Sequence, residues 1–258
     1  MRFGLIGHPI EHSLSPALFK AGYNGLYPYD LIITEDFEEA YRRFMDGYDG
    51  INVTAPFKEL ALRKADIISE ECRLVGAANI LIKTPQGITA YNSDFRGLVA
   101  MFRGLKGDSP LSDHEKIVLI VGAGGAGKAA KAASEALGYE TTVINRTKYN
   151  PEIKPLSAFR EEFRKADIVI YNLPVRIPEI DMLTETDLCP GKEKVILEAN
   201  YRNPSFDNKL IQRMVDVNPL ISYIDGREWL LQQAVTGYEL FTGETPDYEA
   251  MKEVIKSK

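Results

Sequence analysis

The sequence predicts an α/β protein of two lobes, on three observations. Short apolar runs alternate with amphipathic segments along nearly the whole chain, the pattern of strands joined by helical crossovers. That alternation breaks once, at "KGDSPLSDHE" (106–115), a run of loop-forming residues with no apolar period. A glycine-rich turn then opens a second series of the same kind. With 258 residues, 45% of them hydrophobic, the chain can build one large core or two compact ones.

The first series reads "RFGLIG" as a buried strand, "SPALFKAGYNGL" as a helix opened by Pro16 with Ser15 as its natural N-cap, "YDLIIT" as a strand, "DFEEAYRRFMDG" as an amphipathic helix and "GINVT" as a strand. In "GINVTAPFK" the period of two puts Ile51 and Val53 on one face and Asn52 and Thr54 on the other, with Pro56 opening a helix and Lys58 in its first turn. "AANILIKTPQGITAYN" has two extended runs around the turn sequence "TPQG", so a hairpin is expected and the first sheet should be mixed. "SDFRGLVAMFRGL" follows as a helix, with Ser93 or Asp94 as the expected cap.

The second series runs "KIVLIVG", "GAGKAAKAASEALG", "TTVINR", "KADIVIYNLP", "KVILEANY", "NKLIQRMVDV" and "ISYIDG", strand and helix by turns. The tail "REWLLQQAVTGYELFTG" and "PDYEAMKEVIKSK" has helical spacing. Gly122, Gly124 and Gly127 follow a buried-strand pattern and precede an alanine-rich helix, which is G-x-G-x-x-G in the context where it cradles a dinucleotide pyrophosphate. Gly125 and Ala126 complete the turn, whose backbone N–H groups meet the phosphates. The same letters nearly fit a nucleotide-triphosphatase loop, with Glu198 at the end of "KVILE" imitating the acidic strand end of such enzymes, but Ala129 stands where a Ser or Thr would ligate magnesium. About twenty residues on, Asn145, Arg146 and Thr147 end the next strand. An arginine with amide and hydroxyl neighbours suits the 2′-phosphate of NADP better than the 2′-hydroxyl of NAD, and Lys148 adds charge.

Composition excludes several classes. A net charge of −6 with scattered basic residues disfavours a nucleic-acid surface, and no apolar run reaches membrane-spanning length. "MRFGLIGHPIEHS" is too short in its apolar run for a secretory signal, so a cytoplasmic protein is expected. Cys72, Cys189, His8, His12 and His114 show no metal-ligand spacing, and no metal is expected.

Lys58 and Asp94 sit at strand-to-helix junctions, the edge of an open α/β sheet where ligands bind. Taken with "GHPIEHSLSP", "GINVTAPFK", "GAAN", "NSD", "VGAGGAGKAA", "NRT", "YRNP" and "LLQQA", in that order and across nearly the whole chain, the sequence resembles the shikimate dehydrogenase family. The resemblance implies an N-terminal substrate domain (1–101, joined by C-terminal helices 225–258) and a Rossmann-type NADP domain (102–224), with the reaction in the cleft between them. It implies NADP-dependent reversible reduction of 3-dehydroshikimate to shikimate, by a monomer or homodimer. Lys58 would be the acid/base and Asp94 would orient it. Ser13 and Ser15 would bind the substrate carboxylate with Tyr201 nearby, and Thr54, Asn79 and Gln233 would bind ring hydroxyls. A quinate-accepting dehydrogenase and a non-catalytic ligand sensor are the rival readings. The chain departs from the family's usual pattern at Phe19 and Lys20, at Ser93 in "NSD", at "NLP" (172–174), and at Arg227, Glu228 and Trp229.

Overall fold

The computed structural model describes residues 1–105, 116–147 and 151–257, so the expected loop at 106–115, His114 and Lys148 lie outside the described residues. The chain divides into two compact units, Met1–Met101 with Leu230–Lys258, and Phe102–Trp229.

The first unit runs β1 (Phe3–Gly7), α1 (Ser15–Gly22), β2 (Tyr29–Ile33), α2 (Phe37–Gly47), β3 (Gly50–Val53), α3 (Lys58–Arg63), β4 (Ile67–Ile68), α4 (Glu70–Val75), β5 (Ile80–Thr84), β6 (Gly87–Tyr91) and the start of α5 (Ser93–Leu105). Its six strands lie in the order β2-β1-β3-β5-β6-β4. β1 is parallel to β2 and β3, whereas β5 is antiparallel to β3 and β6, so the sheet is mixed as expected. The hairpin forms because Thr84 pairs with Gly87 across Pro85 and Gln86, and the Thr84 hydroxyl donates to the Gly87 carbonyl. Amphipathic spacing makes α2: it buries Phe37, Ala40 and Phe44, and the Asp36 carboxylate accepts from the N–H groups of Glu38 and Glu39.

Three helix starts differ from the sequence reading. Leu14, not Ser15, is the N-cap of α1, because the Ser13 hydroxyl reaches forward to accept the Ser15 N–H. The chain turns at Pro56, and α3 begins two residues later at Lys58. The cap of α5 is Asn92 rather than the expected Ser93 or Asp94, its Oδ1 accepting from the Phe95 N–H at 3.0 Å.

The second unit runs β7 (Ile117–Val121), α6 (Gly125–Ala136), β8 (Glu140–Ile144), α7 (Phe159–Lys165), β9 (Ile168–Tyr171), α8 (Pro178–Asp181), α9 (Glu185–Leu188), β10 (Lys194–Glu198), α10 (Asn208–Val217) and β11 (Ile221–Ile224). Its five strands are all parallel, in the order β11-β10-β9-β7-β8. The chain leaves β7 toward β8 on one side and returns to β9 on the other, so the switch point of this Rossmann-like sheet falls beside the glycine turn. Phe159, Phe163, Tyr171, Phe206 and Met214 fill its core. The sequence reading passed over α7 to α9, although Phe159 and Phe163 have the four-residue spacing of a buried helix face.

The C-terminal end of α7 is closed by two lysines. Lys194 is fully buried and donates to the carbonyls of Phe163, at 2.6 Å, and Ala166, while Lys192 donates to that of Lys165. Burial pulls the Lys194 ammonium down to about 8, and the like charge of Lys192 adds to the effect.

The last two helices, α11 (Gly226–Thr242) and α12 (Tyr248–Lys256), complete the first unit from Leu230 onward: Leu231, Tyr238, Phe241, Met251 and Ile255 pack on Phe3, Leu18 and Phe19. The departure at Phe19 is thereby explained, since its ring is fully buried among Phe3, Tyr23, Tyr29 and Tyr238.

Candidate active site

In the first unit, the end of β3 and the start of α5 bring the two expected acid–base residues together. Lys58 Nζ lies 2.5 Å from Asp94 Oδ2, with both side chains largely buried, at 19% and 10% exposure. A charge-assisted bond this short in a partly dry site holds the ammonium in one direction. It leaves two of its three protons to point elsewhere.

Asn79, 4% exposed, lies at the entrance to β5 and is joined to Ser93, the residue before Asp94. Its backbone is fixed in the sheet: its N–H donates to the Tyr91 carbonyl and its carbonyl accepts from Val53. Its amide faces Ser93, accepting from the Ser93 N–H at 2.7 Å and donating to the Ser93 hydroxyl at 3.1 Å. One amide N–H and one lone pair then remain for a ligand. Gln233 is carried on α11, whose backbone meets α5 at Gly97: a Cβ on Gly97 would lie 2.7 Å from Gln233 N, so only glycine permits this approach. Thr54 follows β3, its N–H donating to Ile6 and its carbonyl accepting from Phe57.

Ser13 and Ser15 converge, the Ser13 hydroxyl donating to Ser15 Oγ at 3.1 Å. No side chain at Leu14 caps α1, so the serine pair and the opening N–H groups of this helix form an anion-attracting end. Below them lies a polar chain that sequence reasoning missed. The Tyr238 hydroxyl donates to the Ser15 carbonyl at 3.1 Å, and the Tyr29 hydroxyl donates to Asn52 Oδ1 at 2.7 Å. Asn52 in turn faces the Asn79 carbonyl. Asn52 was readable as sharing a face with Thr54; the tyrosines look like ordinary core residues in sequence, and only the tertiary fold reveals their hydroxyl partners.

In the second unit, each glycine of the turn meets a different steric demand. Gly122 adopts φ +102°, which L side chains rarely adopt. A Cβ at Gly127 would collide with the Gly122 carbonyl, so this glycine lets helix and turn pack closely. At Gly124 a Cβ would meet nothing within 4 Å, which leaves the face of the turn open. Gly125 and Ala126 begin α6, whose N-cap offers no side-chain acceptor, so its first N–H groups are available to phosphate oxygens. These residues fit a dinucleotide pyrophosphate.

Asn145 is largely withdrawn from a ligand. It is 6% exposed, accepts from the Ala123 N–H and donates to the Thr147 carbonyl at 2.9 Å, tying the glycine turn to the segment after β8. Arg146 and Thr147 are exposed. Tyr201 is half-buried on the loop after β10, its ring 5.8 Å from the Arg202 guanidinium carbon. Glu198 anchors that loop, accepting from the N–H groups of Ser205 and Phe206 and from the Tyr223 hydroxyl. A carboxylate so engaged does not act as the acidic metal partner of a triphosphatase. At the last of the departures, Arg227 pairs with Asp225 at 3.1 Å and Trp229 is buried, so much of this bulk turns into the protein. Among the described residues no group of three or more potential ligands could hold a metal ion, and no helix is long and apolar enough to cross a membrane.

A parallel sheet with a glycine turn at its switch point, joined to a mixed-sheet unit carrying a buried lysine–aspartate pair, defines a two-unit α/β protein with a Rossmann-type dinucleotide fold. Comparison with known proteins makes this specific. Residues 5–81 match the shikimate dehydrogenase substrate binding domain and residues 226–256 the shikimate 5′-dehydrogenase C-terminal domain. The chain is 31% identical to a shikimate dehydrogenase (NADP(+)) of Caldanaerobacter subterraneus subsp. tengcongensis, over 99% of this chain and 96% of that one. A shikimate 5-dehydrogenase structure from Thermus thermophilus, in complex with NADP(H) and shikimate, superposes with a TM-score of 0.80 at 26% identity, covering 100% of this chain and 99% of that one. A quinate dehydrogenase from Corynebacterium glutamicum in complex with NAD shares the fold, with a TM-score of 0.81 at 23% identity over 100% and 99% of the two chains. The chain belongs to the shikimate dehydrogenase family.

Proposed function

We propose that this protein catalyses the NADP-dependent, reversible reduction of 3-dehydroshikimate to shikimate, a step of aromatic amino-acid biosynthesis. The observation that carries the reading is the largely buried Lys58–Asp94 pair, whose aspartate follows Ser93, the hydrogen-bond partner of the Asn79 amide. The first unit binds the substrate and the second holds the cofactor at Gly122, Gly124, Gly125, Ala126 and Gly127, with Arg146 and Thr147 at the 2′-phosphate. Bound there, NADPH supplies the hydride that reduces the ketone carbon.

The chain's own residues manage the charge that develops on the ketone oxygen. Lys58 donates a proton to that oxygen, and in the reverse direction accepts it from the alcohol. Asp94 keeps the ammonium aimed and accepts from a neighbouring ring hydroxyl. Asn79, Thr54 and Gln233 bind ring hydroxyls, while Ser13 and Ser15 donate to the carboxylate at the N-terminus of α1, and Tyr201 is a further ligand of that carboxylate. Asn145 serves the cofactor by bracing the glycine turn.

The test is to mix purified protein with shikimate or quinate and with NADP or NAD, following the absorbance of reduced nicotinamide. Reduction with shikimate and NADP supports the proposal. Faster turnover of quinate or of NAD replaces it with the relaxed variant, and silence in every combination points to a ligand sensor. We further propose a cytoplasmic setting and a monomeric or homodimeric state, the latter tested by sedimentation.

A further inference from the structure

Ser93 belongs to none of the roles above, yet three elements meet on it. Its N–H and hydroxyl hold the two ends of the Asn79 amide, at 2.7 and 3.1 Å. It begins α5 directly before Asp94. Its Cβ and Oγ also lie against α11, only 3.2 Å from where a Cβ on Gly237 would sit, one helical turn beyond Gln233. The serine itself is 2% exposed.

We propose that Ser93 is a positioning residue: with Asn79 it forms a reciprocal two-bond clamp that transmits the fixed position of the sheet to the first turn of α5, and so aims Asp94 at Lys58. The proposal rests on the acid–base reading of that pair. Its physical basis is the contrast between the two ends of the clamp. Asn79 is locked by backbone bonds to β3 and β6, whereas the first turn of a helix has N–H groups with no partner inside the helix and moves unless something outside holds it. Asn92 supplies one such hold, through the Phe95 N–H. That bond fixes the axis of α5 but acts one residue past Asp94. The Ser93 clamp acts one residue before it, and the two together fix the aspartate between them. The same clamp orients the Asn79 amide, so that its remaining N–H faces a ligand in one direction only.

Removing the hydroxyl leaves an Asn79 donor buried without a partner, and the amide turns to find another. The Asn92 cap and the backbone bonds of Asn79 to Val53 and Tyr91 survive in Ser93→Ala, so the unit still folds. In that variant kcat should fall about tenfold, with KM for NADP within about twofold of wild type. Ser93→Thr, which restores the hydroxyl, should recover most of the loss, and the near-isosteric Ser93→Cys should lie between. Crystals of Ser93→Ala should show the Asn79 amide rotated and the Lys58–Asp94 contact opened beyond hydrogen-bond range. A kcat unchanged in Ser93→Ala, or an intact Lys58–Asp94 contact, overturns the proposal. Equal losses toward substrate and NADP accompanied by a lower Tm also overturn it, since they mark a merely structural residue. Should wild type itself be silent with shikimate and NADP, the proposed function fails, and the crystal geometry of the variant still decides the role of Ser93.

Discussion

Lys58 and Asp94 illustrate how much one contact has to do. Exposed ion pairs contribute little, but this one is largely withdrawn from water, and losing either partner strands the other. Lys58→Ala should lower kcat by a factor of roughly 10² to 10⁴, the range general acid catalysis supplies, while KM for shikimate changes by only a few-fold. Steady-state kinetics at saturating NADP measure both, and an unchanged kcat removes Lys58 from the chemistry. These two residues were legible because their strand-to-helix positions and the family-like motifs around them agreed. Ser93 was legible only as a cap, and it is not the cap. Asn92, Ser93 and Asp94 are all good capping types, and sequence alone gives no means of choosing which oxygen reaches the Phe95 N–H. The Ser13 hydroxyl poses the same difficulty: it serves α1 from a position ahead of the N-cap, so pattern matching selected Ser15.

At the scale of elements, the glycine turn was the clearest signal, since buried strand, turn and alanine-rich helix occur in the order that makes G-x-G-x-x-G meaningful. Gly127→Ala should abolish measurable NADP binding and destabilise the second unit by about 1–3 kcal/mol, because the added methyl strikes the Gly122 carbonyl rather than a flexible side chain. Calorimetric titration with NADP, alongside titration with shikimate, tests this, and NADP affinity equal to wild type refutes it. Helices α7 to α9 were harder to read. At 7, 4 and 4 residues they are too short to show a sustained period, and tertiary partners hold them in place, with Asp187 accepting from Arg160, Arg164 and Thr184. The two-residue β4 carries too little sequence to announce itself.

For the molecule as a whole, the buried lysine predicts how stability responds to pH. Lys194 titrates near 8 when folded against an ordinary value of 10.5, so between those values the unfolded chain binds more protons than the folded one. Stability from this group is therefore lowest below pH 8 and rises toward pH 10.5, by about 3 kcal/mol in total. Urea unfolding of wild type and Lys194→Met from pH 7.5 to 10, followed by the fluorescence of the chain's one tryptophan, Trp229, should show the difference between them shifting in favour of wild type as pH rises. Parallel curves would refute it. The order in which the chain builds its first unit has a consequence of another kind. Phe3, Leu18 and Phe19 leave the ribosome ahead of the whole second unit, whereas Tyr238, Phe241 and Met251, which cover them, follow it. The nascent chain must carry a bare aromatic surface past the synthesis of more than half its length, with the second unit free to mature in the meantime. A message truncated after codon 101 should yield an insoluble product, and that product should be rescued when residues 230–258 are fused back to it.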